Sequence, residues 1–359
     1  VSEIFRDYLK KVGSGRHTRR SLTRAEAADA ARLMLTGVAT PAQVGAFLIA
    51  HRIARPLPEE LAGFLDAYDE LGPAIAPIAA DGPVMTFGIP YDGRSRTVPL
   101  GIATALVLAS AGQPVLLHGG DRVATKYGLP LIELWDALGV DWRSQDLAAT
   151  RTTLETCGVG FMYLRRDFPL AQGLMGYRDD IGKRPPLATL ELMWSPYQGR
   201  QRIVCGFVHP PTEVMMREAF ALRGTVDFVT IKGLEGSCDA PRERTVIGGI
   251  NRLVEGSEQF ERLRLSARSL GIEGPDLPLA DTATLAAALR SALEGEPGPL
   301  ADAIAWNGGL YLWLAQRAES VEAGIAQARS LLAAGAPAAL LQRLRAEVGS
   351  AIAEPVKLS

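Results

Sequence analysis

The hydrophobic spacing of this chain changes once, across a proline-rich stretch, and that change limits the possible folds more than any other feature. Up to residue 72 the apolar residues recur only at helical intervals. Thr23-Arg24-Ala25-Glu26 is a capping box, in which a hydroxyl and a carboxylate each satisfy a free backbone N–H at the helix start. Ala28, Ala31, Leu33 and Leu35 follow it, and Gly37 ends the helix. Thr40-Pro41-Ala42-Gln43 repeats the signal with proline at the first helical position, and Val44, Phe47 and Leu48 supply the buried stripe. Pro58-Glu59-Glu60-Leu61 opens another helix that carries Leu61, Phe64, Leu65 and Tyr68 until Gly72. Pro73, Pro77 and Pro83, set among small residues, then read as a hinge.

Beyond the hinge, short apolar runs alternate with helical segments. Residues 84–87, 115–117, 159–163, 203–207 and 227–231 are flanked by glycine or proline and separated by about a dozen residues or more, the pattern of βαβ units in a mostly parallel sheet. The strand pattern lapses between Arg165 and Pro196, where Leu170, Leu174 and 187–193 look helical. That interruption is expected to fold back onto the N-terminal helices. From Leu277 alanine-rich amphipathic segments return. The expected architecture is α/β: a small all-helical domain, 1–75 with a returning segment 165–198, and a larger α/β domain, 76–164 and 199–352, around a mostly parallel central sheet.

Composition narrows the function classes. With 359 residues, 47% apolar and 22% charged, the chain is globular and long enough for two domains. A formal net charge of −2 gives no overall pull toward nucleic acid or membrane. Cys157, Cys205 and Cys238 lack metal-site spacing and form no disulfide framework. The charged N-terminus and the absence of an apolar run of about 18 residues lead to the expectation of a cytoplasmic protein with no membrane partner.

Two glycine-rich turns fall where ligands bind in α/β sheets, at strand C-termini. Gly88-Ile89-Pro90-Tyr91-Asp92-Gly93 follows the first strand and precedes a helix, so free N–H groups and the helix dipole could hold an anion. Leu117-His118-Gly119-Gly120 ends the second strand. His209-Pro210 takes the same kind of position after a later strand. Gly233-Leu234-Glu235-Gly236-Ser237-Cys238-Asp239 offers Glu235 and Asp239 as oxygen ligands for Mg²⁺. Each turn also has a plain structural reading, as a tight turn, a buried histidine or solvated carboxylates. Separately, residues 1–24 hold seven basic side chains against two acidic ones, among them Lys10, Lys11, Arg16, Arg19 and Arg20, and Arg165-Arg166 start a second basic group. These are either solvated helix surface or a polyanion-binding face.

Taken in order, these pieces resemble anthranilate phosphoribosyltransferase along nearly the whole chain, and most of all the divergent paralogues grouped with glycosyltransferase family 3. The run Ala39-Thr40-Pro41-Ala42-Gln43-Val44-Gly45-Ala46-Phe47-Leu48, then Gly160-Phe161-Met162-Tyr163, then Glu294 to Pro299 carry the likeness. The resemblance implies an active site between the two domains, transfer of a phosphoribosyl group from phosphoribosyl pyrophosphate or another phosphorylated sugar, Mg²⁺ as cofactor if the chain is catalytic, and a homodimer formed through the helical domain. The family's Gly-Thr-Gly-Gly-Asp-Gly loop is matched by Gly88 to Gly93, with Pro90 and Tyr91 at the two middle glycines. Its Asn-x-Ser-Thr is matched by Val98, Leu100 and Gly101, and its Lys-His-Gly-Asn by Leu117-His118-Gly119-Gly120. Arg178 matches the arginine that helps hold anthranilate, Phe168 takes the place of a substrate-side histidine, and Cys238-Asp239 replaces the metal-binding Asp-Glu pair. By that resemblance Arg178 and His118 would be catalytic, and Gly88, Asp92, Gly93, Gly119, Gly120 and His209 would hold the phosphosugar. The rewritten loops argue against efficient anthranilate transfer. Two functions stay open: a phosphoribosyl or pentosyl transferase, and a non-catalytic binder of DNA or RNA, without any cofactor, that uses Lys10, Lys11, Arg16, Arg19, Arg20, Arg165 and Arg166.

Overall fold

The computed structural model describes residues 2–15 and 17–350. Arg16 and residues 351–352, the end of the expected α/β domain, lie outside the described residues. Helices α1 (Glu3–Gly13), α2 (Arg24–Leu35), α3 (Pro41–Ala54) and α4 (Pro58–Leu71) form the N-terminal bundle. Thr23 with Glu26 and Thr40 with Gln43 make the two capping boxes read from the sequence. Phe5, Phe47 and Phe64 pack ring to ring at its centre.

Along the rest of the chain come β1 (Val84–Phe87), α5 (Gly101–Ser110), β2 (Val115–Gly119), α6 (Leu131–Ala137), α7 (Leu147–Cys157) and β3 (Val159–Tyr163). Three short helices follow, α8 (Leu164–Asp167), α9 (Pro169–Gly173) and α10 (Tyr177–Asp180), with a 3-10 stretch at Pro186–Leu192. This segment packs back on the bundle: α9 meets α2, α10 meets α3, and the 3-10 stretch lies against α3 and α4. The chain then runs through β4 (Gln201–Gly206), α11 (Pro210–Arg223), β5 (Phe228–Ile231), β6 (Val246–Val254) and β7 (Ser257–Leu265). It closes with α12 (Thr282–Leu293), α13 (Pro299–Leu314), α14 (Val321–Ala333) and α15 (Ala336–Ser350).

The strands form one seven-stranded sheet in the order β3-β2-β1-β4-β5-β6-β7. The first five are parallel, as expected. The antiparallel pair β6–β7 at the edge was not anticipated. Its turn, Glu255-Gly256, has two residues at positive φ, which suits a tight hairpin. Period-2 alternation splits the strands between two cores. Met85, Phe87, Val115 and Leu117 face α5 and the C-terminal helices, whereas Val84, Leu116 and Met162 join the core shared with the bundle. That shared core fixes the bundle beside the C-terminal ends of β1 and β2.

Candidate active site

The loop after β1 reaches into the cleft between bundle and sheet. The turn Pro90–Gly93 is closed by Gly93 N–H donating to the Pro90 carbonyl at 3.0 Å, with Gly93 at φ +72°. Gly88 is required by a close approach. A β-carbon there would collide with the Leu192 carbonyl, so protein backbone, not ligand, covers this glycine. The N–H groups of Gly88, Ile89, Tyr91 and Gly93 are engaged within the protein. Ile89 N–H donates to the Glu191 carbonyl at 3.1 Å, and Tyr91 N–H donates to the Glu191 carboxylate at 2.8 Å.

Glu191 sits in the apolar run Leu190-Glu191-Leu192, and it also forms a buried ion pair with Arg178. Burial and the like charge of Arg184 lower the Arg178 pKa to about 10. The side chain that family resemblance assigns to anthranilate therefore faces a carboxylate of its own chain. Tyr68, Phe168 and Trp194 form an aromatic cluster nearby. The ring of His118, fully buried at the end of β2, meets Trp194 edge-on, and its Nδ1 lies 2.7 Å from the Tyr91 hydroxyl. Burial drives its pKa down to about 4, against a smaller opposing effect from the Trp194 backbone, so the imidazole is neutral near pH 7. It is held as a hydrogen-bonded core group.

A second cluster occupies the strand ends beside it. The Glu235 carboxylate accepts from the backbone N–H of Ser95 at 3.2 Å, Arg96 at 3.0 Å and Thr97 at 3.0 Å, and from both neighbouring hydroxyls. Burial raises its pKa, but these N–H donors and Arg94 outweigh that and hold it at about 2. Arg94 lies buried between Glu235, the Ser237 hydroxyl at 2.7 Å and Asp239. Asp239 also accepts from Leu100 N–H at 3.2 Å. Buried Asp92 lies 3.6 Å from Lys126 Nζ and 3.9 Å from Arg184. Burial lowers the Lys126 pKa, with Asp92 opposing. Five cationic side chains, Arg94, Arg96, Lys126, Arg178 and Arg184, thus face four carboxylates, so a single positive charge is left over for a diphosphate.

The residues predicted as metal ligands do not fit Mg²⁺ as arranged. Mg²⁺ takes oxygen donors, whereas the oxygens of Glu235 and Asp239 face N–H groups and a guanidinium. Among the described residues, no group of three or more His, Cys, Asp or Glu could hold a metal ion. Gly119 and Gly120 pack against Phe161 and Leu164. Together with Pro90, Tyr91, Arg94 and Tyr311 they surround a cavity of only about 30 Å³. Such a space takes about two water molecules, whereas ligand pockets usually reach about 300 Å³ or more.

His209 is exposed at the start of α11, outside this cavity. The basic residues mostly have acidic partners. Lys10 pairs with Asp7 at 2.8 Å and Lys11 pairs with Glu26. Arg165 lies 3.2 Å from Asp121, and Arg166 binds Asp167 at 2.8 Å and the Arg143 carbonyl at 3.1 Å. Arg165 and Arg166 are therefore tied to residues flanking β2 and β3. Arg19 and Arg20 are exposed, with no ion pair among the described residues. No helix among the described residues is long and apolar enough to cross a membrane. Sequence reasoning missed Arg94, Lys126 and Glu191. A lone carboxylate inside an apolar run was the available signal for Glu191, because such a group must find a partner.

Comparison with known proteins agrees with the fold. Residues 6–72 match the model of the helical bundle domain of a glycosyl transferase family, and residues 92–338 match that of its a/b domain. The anthranilate phosphoribosyltransferase of Erythrobacter litoralis is 30% identical over 86% of this chain and 92% of its own length. That of Methylococcus capsulatus is 29% identical over 88% and 90%. Two solved structures share the fold. Anthranilate phosphoribosyltransferase from Thermus thermophilus has a TM-score of 0.77 at 24% identity, covering 97% of this chain and 100% of that one. The Saccharomyces cerevisiae enzyme, in complex with phosphoribosyl pyrophosphate and Mg, has a TM-score of 0.81 at 17% identity, covering 97% and 99%.

Proposed function

The chain belongs to the anthranilate phosphoribosyltransferase-like glycosyl transferase family, and from that premise we propose that it takes a phosphorylated sugar in the cleft between bundle and sheet, as a phosphoribosyltransferase-like protein. One observation carries this reading: the cleft is lined with anion donors that now hold the protein's own acids. The N–H groups of Tyr91, Ser95, Arg96 and Thr97, with Arg94 and Arg178, all point at the carboxylates of Glu191 or Glu235. A phosphorylated ligand therefore has to displace charge-assisted bonds worth about 1.5–3 kcal/mol each, which leaves it weakly bound. Transfer from such a donor is displacement at an anomeric carbon, where the protein chiefly positions reactants and offsets charge on the leaving group.

Anthranilate is a poor acceptor on this reading, because Glu191 already closes Arg178 and Phe168 offers no ring nitrogen. A homodimer through the bundle is part of the proposal; exposed Ile4, Val38, Ile53 and Leu57 on that side support it, and light scattering tests it. The nucleic-acid alternative has less behind it, since most of its residues have acidic partners. Calorimetric titration with phosphoribosyl pyrophosphate and Mg²⁺ tests the main reading. Measurable heat with no phosphoribosyl anthranilate formed on adding anthranilate is expected; silence at millimolar ligand removes that donor.

A further inference from the structure

Glu235 holds an unusual position for a surface-loop acid. Its side chain is 3% exposed, and its two oxygens take three backbone N–H bonds and two hydroxyl bonds from consecutive residues Ser95 to Thr97. Successive N–H groups converging on one point form an anion-binding concavity whatever anion fills it. Further cations stand just outside bonding range of the carboxylate, Lys126 at 3.7 Å and exposed Arg96 at 3.9 Å.

We propose that the Ser95–Thr97 concavity is a phosphate-monoester site that Glu235 fills as an internal, displaceable anion. The inference rests on the phosphosugar reading above and assigns where the monoester group goes. A carboxylate presents two oxygens, while a phosphate monoester presents three terminal oxygens and greater charge. It can satisfy the same five donors and still reach Arg96 and Lys126. Release of Glu235 is also eased by its own backbone. At φ 53° and ψ 22° it is a non-glycine residue in the left-handed region, followed by Gly236 at φ +82°. Its side-chain bonds hold it in that conformation, so a phosphate that takes over the donors lets the loop relax. The acid thereby sets the affinity threshold: weak anions are excluded, and only a ligand with a full monoester group competes.

The test is titration of wild type, Glu235→Gln and Glu235→Gly with inorganic phosphate, followed by backbone amide NMR shifts. The glycine variant removes the carboxylate and suits the positive φ, while the glutamine variant keeps the shape and removes the charge. We expect phosphate to bind the glycine variant about tenfold more tightly than wild type, equivalent to about 1.4 kcal/mol, with the largest shifts at the Ser95, Arg96 and Thr97 amides. The glutamine variant should bind several-fold more tightly. Equal affinities in all three proteins, or shifts confined to other amides, overturn the proposal. Phosphoribosyl pyrophosphate binding is measured separately. Tighter phosphate binding without any affinity for the diphosphosugar leaves the concavity assigned and removes the phosphosugar reading. Diphosphosugar binding with unchanged phosphate affinity does the reverse.

Discussion

The Tyr91 hydroxyl stands 2.7 Å from Nδ1 of His118, joining the loop after β1 to the end of β2 across the centre of the cleft. Both groups are buried, so the bond has no water to replace it. It spans the space that a glycine at position 91 would leave open. The loop has exchanged backbone freedom for a side chain that seals the cavity. Tyr91→Phe should therefore leave the imidazole nitrogen without its partner and cost about 1–3 kcal/mol, read as a shift in the urea midpoint at an unchanged slope.

The neutral state of His118 gives stability a pH dependence with a definite sign. Its folded pKa, about 4, lies below the ordinary value of 6.5. Between those values the unfolded chain binds a proton that the folded chain does not, so stability falls as pH drops from 6.5 toward 4 and is unaffected by this group above that range. The full effect is up to about 3 kcal/mol. Thermal unfolding of wild type and His118→Gln from pH 7 to pH 4 should show a shallower acid-side decline in the variant. Parallel curves contradict the prediction.

The buried pair of Arg178 and Glu191 couples the returning segment to the glycine loop. Removing either partner strands a charge in the core, at a cost of about 3–5 kcal/mol. Arg178→Met and Glu191→Gln should each be strongly destabilised in chemical denaturation. The double variant should lose clearly less than the two single losses combined, because neither charge is then left alone. Additive losses would mean that the pair does not act as a unit.

Much of the architecture was legible because it is written locally. The capping boxes at Thr23 and Thr40, the switch to short apolar runs at Val84 and the lapse after Arg165 depend on neighbouring residues alone. The β6–β7 hairpin was not legible: strand β7 is largely exposed and charged, with little apolar alternation to reveal it. The site divides in the same way. The turns at Gly88 and His118 fall at strand ends as expected, but the partners of Glu235 and Glu191 come from residues about 140 and 100 positions away. No local pattern marks such partners. The expectation that Glu235 and Asp239 would offer free oxygens to a metal failed because Arg94 and the N–H groups of 95–97 reach them first.

The central claim is that the chain's own side chains occupy the place of the family's sugar donor, with Pro90 and Tyr91 at two former glycine positions. Calorimetric titration of phosphoribosyl pyrophosphate with Mg²⁺ into wild type and into the Pro90→Gly/Tyr91→Gly double variant tests this most directly. The account predicts a Kd of about 1 mM for wild type and binding about tenfold tighter, or better, for the reopened loop. Micromolar binding to wild type, unchanged or weakened in the double variant, would contradict it.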